Sequence, residues 1–258
     1  MNFIQVSDLH LNSGPGSDFK GVDSKKRLMD ILNHAEANVE DLSLILLTGD
    51  LAHDEKLETY VWLRNALLAC GKPFLLVPGN HDHLGNFTSV FGEVIETEDS
   101  WIFNHVTDGL HFIGLNSKMK GEVSGLLSAV SLEALSRLLD AQRDKMRIIC
   151  LHHPPILTGD KVSDEIGLRN RDAFWGALGE DFSGTVIFGH LHREIETTFN
   201  KTRVYGCPST ALGYEGDEMG LKIDLDAWGY RRFSWDAQKG LESMVVWMGS
   251  SRLVSPLR

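Results

Sequence analysis

Residues 46–54 read LLTGDLAHD, an apolar run with the length of a buried strand that stops at Gly49 and Asp50. Burying a carboxylate is costly unless it is paired or binds a metal ion, so a strand that ends in Asp50 indicates a use for that charge. Four more apolar stretches end in polar residues: SDLH at 7–10, PGNHD at 78–82, LHHPP at 151–155 and FGHLH at 188–192. The five strand ends are predicted to form one site.

Strands and helices alternate around these stretches. The spacing of apolar residues predicts strands at 3–7, 42–48, 73–78, 146–151 and 185–188, with helices at 23–39, 55–70, 131–143 and 171–178. Ser131 is the expected N-cap of the third of these helices, with Glu133 in its first turn. Short strands follow at 195–199, 203–206, 220–226 and 229–234. An order of βαβαβ followed by a β-meander fits two sheets with helices outside them.

The polar residues at the strand ends are all oxygen or nitrogen donors. Ligands of open α/β sheets gather beyond the carboxyl ends of the strands, so these side chains are expected to converge. Cysteine is missing from every strand end, which argues against a thiolate zinc site. Two carboxylates, one amide and four imidazoles are more than one tetrahedral ion needs. We therefore expect two metal ions, bridged by the two oxygens of Asp50.

Glycine precedes three of the expected ligands, at Gly49, Gly79 and Gly189. A residue without a Cβ permits a sharp turn and close approach of the backbone to a crowded site. The sequence therefore predicts tight packing around the ligands.

The ordered set D-x-H, G-D, G-N-H-D, H-x-P and G-H-x-H resembles the signature of the calcineurin-like metallophosphoesterases. The resemblance covers roughly residues 3–210, and it is strongest to the bacterial class III cyclic-nucleotide phosphodiesterases and the related glycerophosphodiesterase. It implies an α/β fold, a four-layer αββα sandwich of two mixed β-sheets flanked by helices.

The resemblance also implies roles for individual residues. One ion would be held by Asp8, His10, Asp50 and His192, and the second by Asp50, Asn80, His152 and His190. In H-x-P the first histidine is the expected ligand, which favours His152 over His153. The implied catalytic residues are His81, facing the phosphate, and Asp82, which could orient His81. His53 and Asp54 are rivals for that orienting role.

The implied activity is hydrolysis of a small phosphodiester, a cyclic nucleotide or a glycerophosphodiester, by a metal-bound hydroxide. The implied cofactors are two divalent or trivalent ions, and Mn, Fe, Zn or Co all suit nitrogen and oxygen ligands. A phosphomonoesterase or a nucleotide pyrophosphohydrolase on the same site is the alternative. A non-catalytic scaffold is disfavoured because all seven ligand positions are filled.

The composition of the 258-residue chain limits its partners. A formal net charge of −11 disfavours binding to nucleic-acid polymers or anionic membranes, which requires clustered Lys and Arg. Three widely spaced cysteines and a first segment without signal-peptide features predict a cytoplasmic protein. Without a linker, residues 1–258 are expected to form one domain. The apolar tail, 240–258, is expected to pack on the body or on a partner subunit, as in a homo-oligomer.

Overall fold

The computed structural model describes residues 1–14, 18–92, 102–107, 109–217 and 220–253. Its helices are α1 (Ser24–Asn38), α2 (Leu57–Ala69), α3 (Leu84–Phe91), α4 (Ala129–Ala141), α5 (Lys161–Ile166) and α6 (Arg171–Leu178). Its strands are β1 (Asn2–Val6), β2 (Leu42–Thr48), β3 (Phe74–Val77), β4 (Ile102–Val106), β5 (Leu110–Leu115), β6 (Met146–Cys150), β7 (Thr185–Phe188), β8 (Ile195–Phe199), β9 (Thr202–Gly206), β10 (Gly213–Asp217), β11 (Gly220–Asp224), β12 (Gly229–Asp236) and β13 (Gly240–Trp247).

Two large mixed sheets and one small hairpin organise the strands. The five-stranded sheet has the order β13-β12-β1-β2-β3, in which β1, β2 and β3 are parallel neighbours. The six-stranded sheet has the order β4-β5-β6-β7-β9-β8, and its central strands β5, β6, β7 and β9 are parallel. Strands β10 and β11 pair with each other as a separate antiparallel hairpin. Parallel strands point their carboxyl ends the same way, which places the loops after them together.

Three buried clusters define the layers. One cluster joins side chains of both large sheets, such as Phe3 and Leu46 with Phe112 and Ile187. A second packs the five-stranded sheet against α1, α2 and α3, and the third packs the six-stranded sheet against α4 and α6. The layers therefore run helix, sheet, sheet, helix, and the predicted four-layer αββα sandwich is confirmed.

Helix α4 begins earlier than the sequence predicts. The Oγ of Ser128 accepts the N–H of Ser131 at 3.0 Å, so Ser128 is the N-cap and the predicted cap, Ser131, lies inside the helix. The prediction that Glu133 lies in the first turn is wrong for the same reason. Two serines three residues apart offer equivalent caps, and the earlier one adds residues 129–131 to the helix.

The predicted terminal element is a strand. β13 pairs along its whole length with β12 and so extends the five-stranded sheet, while residues 254–258 of the predicted tail lie outside the described residues. Its side chain Met244 is 54% exposed at this sheet edge. Within the described parts of the chain, no helix combines the length and the apolar composition that a membrane span requires.

Candidate functional site

The five polar stretches follow strands β1, β2, β3, β6 and β7 and meet at one edge of the sandwich. Backbone hydrogen bonds join their loops: the N–H of Asp8 donates to Gly49 O at 3.0 Å, and the N–H of His10 to Asp50 O at 2.9 Å. From the other sheet, the N–H of Gly189 donates to His152 O at 3.1 Å. These backbone hydrogen bonds fix the loops relative to one another.

A first group of side chains comprises Asp8, His10, Asp50 and His192. The Nε2 atoms of His10 and His192 lie 3.2 Å apart. Oδ1 of Asp8 lies 3.3 Å from His192 Nε2, and Oδ2 of Asp50 lies 3.8 Å from His10 Nε2. All four side chains are buried. These are the four residues that the resemblance assigns to the first ion.

A second group comprises Asp50, Asn80, His152 and His190. The Nε2 of His152 lies 3.4 Å from Asp50 Oδ1, 3.1 Å from Asn80 Oδ1 and 3.1 Å from His190 Nδ1. Asp50 thus directs Oδ2 toward the first group and Oδ1 toward the second. A carboxylate in this position can supply one oxygen to each of two ions.

The ring nitrogens that face inward suit metal binding. The Nδ1 atoms of His152 and His192 each lie 2.7 Å from a backbone carbonyl, of Thr48 and Leu212 respectively. A carbonyl only accepts, so both Nδ1 atoms carry a hydrogen and donate it, which fixes the orientation of the rings. Nitrogens 3.1–3.2 Å apart match two ligands of one ion with bonds of about 2.1 Å. His190 Nε2 is buried without a hydrogen-bond partner among the described residues. The donor set therefore fits metal ions.

Opposite charges tune the cluster. Burial alone raises the pKa of Asp8, but His192 beside it lowers this pKa to about 2. Burial likewise opposes ionisation of Asp50, while His152 holds its pKa well below the usual range. The pKa of His152 is lowered by burial but raised overall to about 9 by Asp50. Both carboxylates are therefore ionised at neutral pH, the form that binds metal ions.

Five of the seven expected ligands have left-handed backbone. The φ angles are 54° at Asp8, 44° at His10, 52° at Asp50, 72° at His190 and 56° at His192. Non-glycine residues rarely adopt positive φ, and such strain concentrates at functional sites. The described residues include nine non-glycine residues with positive φ, and five of these nine are expected ligands. The left-handed conformation at these residues lets the backbone turn sharply after each strand.

Glycine is required where two loops touch. A Cβ at Gly79 would overlap Oδ1 and the backbone N of Asp50, and one at Gly189 would overlap Oγ of Ser7. The predicted close approach at these two positions is confirmed, because any larger residue would displace the neighbouring loop.

His81 lies at the mouth of the cluster. Its backbone N–H donates to Asp50 Oδ1 at 2.8 Å, and its half-buried ring lies 5.1 Å from the ring of His10, centroid to centroid. The ring of His53 lies 4.9 Å from that of His81. Of the three residues that the sequence offered for orienting His81, His53 is the one in ring contact with it.

Asp82 is hydrogen-bonded to the backbone of two loops of the site. Its buried carboxylate accepts the N–H groups of Leu51, Ala52 and Gly79 at 2.8–3.2 Å, and the hydroxyl of Tyr60 at 3.0 Å. Both carboxylate oxygens accept at least one of these bonds. Asp82 therefore ties the Asp50 loop to the loop of Gly79, and an orienting effect of Asp82 on His81 stays a prediction.

Asp54 is also engaged elsewhere. Its Oδ2 accepts the N–H and the hydroxyl of Ser13 at 2.7 and 2.8 Å, and its Oδ1 accepts the hydroxyl of Thr59 at 2.8 Å. Asp54 thus connects the loop after β1 to the start of α2, as expected for a residue at the beginning of a helix.

His153 lies close to the cluster but its nitrogens are occupied. Nε2 donates to the carbonyl of Val123 at 3.0 Å, so Nδ1 accepts the hydroxyl of Ser117 at 2.8 Å. Without a free lone pair, His153 is a poor ligand, although it lies within ligand distance of His152 and His190. These contacts support the expectation that His152 is the ligand.

Three residues next to the cluster escaped the sequence analysis. The ring of Phe19 stacks on His10 with centroids 4.4 Å apart, and the ring of Tyr214 lies 4.8 Å from His192. The Nζ of Lys118 donates to the carbonyl of Asn80. None of the three residues belongs to a strand-end motif, and they lie far apart in the sequence. No sequence signal marked them.

The fold and the site define a class, the two-sheet sandwiches with a ligand cluster at the strand ends. The structure is similar to a dimetal phosphatase from Danio rerio, with a TM-score of 0.65 at 13% identity over 95% of this chain and 98% of that chain. It is also similar to the purple acid phosphatase PPD1 from yellow lupin, with a TM-score of 0.62 at 12% identity over 90% of this chain and 48% of that one. At such identities the likeness shows the fold alone.

Sequence comparison gives the family. The model of the calcineurin-like phosphoesterases matches residues 1–194. The 3',5'-cyclic adenosine monophosphate phosphodiesterase CpdA of Pseudomonas aeruginosa is 27% identical over 231 residues, 88% of this chain and 83% of that protein. The "probable glycerophosphodiester phosphodiesterase GpdQ" of Arcobacter nitrofigilis is 30% identical over 257 residues, 96% of this chain and 94% of that protein. The chain belongs to the calcineurin-like phosphoesterase family, which confirms the predicted membership.

Proposed function

We infer that this protein is a phosphodiesterase that uses two metal ions to hydrolyse a small phosphodiester. The single observation that supports this most is the placement of Asp50, whose two oxygens face two groups of nitrogen and oxygen donors. One group is Asp8, His10 and His192, and the other is Asn80, His152 and His190. Together with Asp50, each group offers one ion four ligands.

Ions held there would bind the phosphoryl oxygens and lower the pKa of a coordinated water, which is the chemistry of two-metal phosphoesterases. Nitrogen and oxygen ligands of this kind accept Mn, Fe, Zn or Co, and metal availability selects among them. The protein itself orients these ligands through the carbonyls of Thr48 and Leu212.

His81 is positioned to act on the substrate. Its N–H is fixed to Asp50 Oδ1, while the ring stays half-buried at the mouth, where a phosphate oxygen would lie. From there the imidazole donates a hydrogen bond to the charge that grows on the phosphoryl or leaving oxygen, and it can protonate the leaving alkoxide. The proposed catalytic residue is therefore His81, with Asp82 positioning the two loops beneath it.

The substrate class follows from the relatives. CpdA is named for cyclic AMP and GpdQ for glycerophosphodiesters, and both align over more than four fifths of this chain. We assign a small diester of one of these two kinds. Activity on a phosphomonoester or a nucleotide pyrophosphate is the competing outcome of the following test.

Two chromogenic esters separate these activities. With Mn²⁺ added, we expect turnover of bis(p-nitrophenyl) phosphate with a kcat/KM at least about tenfold above that of p-nitrophenyl phosphate. The release of p-nitrophenol is followed for both esters beside a metal analysis of the same sample. A preference for the monoester would contradict the diesterase assignment. Bound metals without turnover of either ester would favour a non-catalytic scaffold.

Replacing His81 with alanine is expected to leave both ions bound and to lower kcat by roughly 10²-fold, because proton transfer and hydrogen bonding at the mouth are lost. His105→Ala, on β4 of the six-stranded sheet, is a matched control that we expect to keep wild-type turnover. Metal content and kcat are measured for both variants. Loss of an ion from His81→Ala would show that His81 is a ligand instead.

Domain organisation, cellular compartment and partners are also proposed. We propose a single catalytic domain over residues 1–258, supported by the family match and by the buried cluster that joins the two large sheets. Three free cysteines, two of them buried, support a reducing compartment such as the cytoplasm. Nucleic-acid polymers and membranes are not proposed as partners, given the net charge of −11. A homo-oligomer through the edge strand β13 stays a prediction.

A further inference from the structure

Two aromatic side chains, Phe19 and Tyr214, pack against histidines of the first donor group. Phe19 stacks on His10 with an interplanar angle of 10°, and its ring also lies 4.6 Å from that of His53. The ring of Tyr214 lies 4.8 Å from that of His192. Phe19 and Tyr214 belong to a small apolar cluster with Val22, Ala211 and Leu212, apart from the three clusters of the sandwich. A substrate bound at the first ion group would lie next to these rings.

A tight turn presents Lys20 at this place. The N–H of Phe19 donates to Val22 O at 2.9 Å and the N–H of Val22 to Phe19 O at 3.0 Å. Between them, Lys20 has a φ of 51° and Gly21 a φ of 85°. Positive φ at both central positions is the geometry of a type I′ turn, which is compact and leaves little freedom to the backbone. The position of Lys20 is thus set by the fold.

The ammonium group of Lys20 is held over the aromatic rings. Its Nζ donates to the hydroxyl of Tyr214 at 2.7 Å, and it lies 4.8 Å from the centroid of Tyr214 and 5.4 Å from that of Phe19. Lys20 forms no ion pair with any acidic side chain in the described ranges. A cation without an acidic partner therefore lies over the two rings that contact His10 and His192.

We propose that Lys20, held by Tyr214, is a specificity-determining residue that selects substrates by charge. It disfavours diesters whose organic arm carries a cation, such as choline, and favours arms that are neutral or anionic. This inference rests on the proposed diesterase function and adds to it a choice among small diesters. Lys20 does not take part in bond cleavage, and it binds no metal ion.

The electrostatic effect is large enough to measure. An ammonium and a quaternary ammonium about 6 Å apart at a partly hydrated protein surface repel each other enough to change kcat/KM by about tenfold. Added salt screens such an interaction, because the Debye length falls to about 3 Å at 1 M ionic strength. Charge selectivity that depends on Lys20 is therefore expected to weaken as the salt concentration rises.

Three p-nitrophenyl diesters with one common leaving group test the inference. Their second arms are choline, its neutral carbon analogue 3,3-dimethylbutyl, and an anionic 3-carboxypropyl group. With the Mn²⁺-loaded full chain, we expect the neutral arm to exceed the choline arm about tenfold in kcat/KM, with the anionic arm higher still. In Lys20→Gln the neutral-to-choline ratio is expected to fall near one, and in Lys20→Arg to stay near the wild-type value.

A control variant and the pattern of turnover distinguish a failure of the Lys20 role from a failure of the diesterase function. Lys26→Gln removes an equivalent charge from the exposed face of helix α1, where Lys26 pairs with Asp30 at 2.6 Å, and should leave the ratio unchanged. Metal content and thermal unfolding of each variant establish that the fold is kept. Turnover of the esters with the same ratio in Lys20→Gln as in the wild type would overturn the role of Lys20 alone. No turnover of any of the three esters would overturn the proposed diesterase function together with it.

Discussion

Replacing Asp50 with asparagine is expected to lower the bound metal from two ions to one or fewer and kcat/KM by about 10³-fold or more. An amide has one oxygen and no charge, so it can no longer supply an oxygen to each donor group. The expected loss exceeds the roughly 10²–10³-fold cost of removing one oxyanion donor, because two ions lose a shared ligand. Metal analysis after Mn²⁺ loading and the kinetics of bis(p-nitrophenyl) phosphate measure the two effects.

Asp41→Asn is the matched control for this substitution. Asp41 is exposed and has a φ of 47°, close to the 52° of Asp50, and asparagine tolerates left-handed backbone. Any strain from the substitution is therefore similar at both positions, while only Asp50 faces the donor groups. Two bound ions and normal turnover in Asp50→Asn would defeat the bridging assignment.

Replacing Asp82 with alanine is expected to destabilise the protein by about 4 kcal/mol. Three N–H groups, of Leu51, Ala52 and Gly79, lose their acceptor in a buried place, and each unsatisfied group costs about 1–3 kcal/mol. Urea unfolding at pH 8 measures the change. Burial and the neighbouring Asp50 raise the pKa of Asp82 to about 6, so the wild-type carboxylate is ionised at that pH.

Tyr60→Phe separates the contributions to this network. It removes the hydroxyl that donates to Asp82 at 3.0 Å and accepts the N–H of His83 at 2.8 Å, and it leaves the three backbone bonds to Asp82, so a smaller loss of about 2 kcal/mol is expected. If Asp82→Ala instead kept full stability but lost turnover, Asp82 would act in catalysis, as the sequence first suggested. The two variants thus distinguish positioning from chemistry.

The strands that lead to the site could be predicted from the sequence. The apolar run at Leu42–Thr48 has the bounds of β2, because a continuous buried strand ends where a glycine and a carboxylate follow. The same rule located the side chains after β1, β3, β6 and β7. The resemblance to a family added the sandwich of two mixed sheets, while the order of the strands came from the structure.

Other features could not be predicted, for physical reasons. Residue type does not distinguish Ser128 from Ser131 as the N-cap of α4, because both side chains offer the same hydroxyl acceptor. The partners of Asp82 are mostly backbone N–H groups, which every residue has, so no motif marks them. The contacts of Phe19 and Tyr214 with the histidines arise from loops far apart in the chain. Hairpin β10–β11 follows no strand-end motif, and its first strand escaped detection.

Anomalous diffraction from crystals loaded with Mn²⁺ tests the central claim most directly. We expect two peaks about 3.5 Å apart, with Asp50 between them, His10 and His192 beside one, and Asn80 and His152 beside the other. A single peak, or a pair in which Asp50 contacts only one ion, would contradict the account of a shared carboxylate.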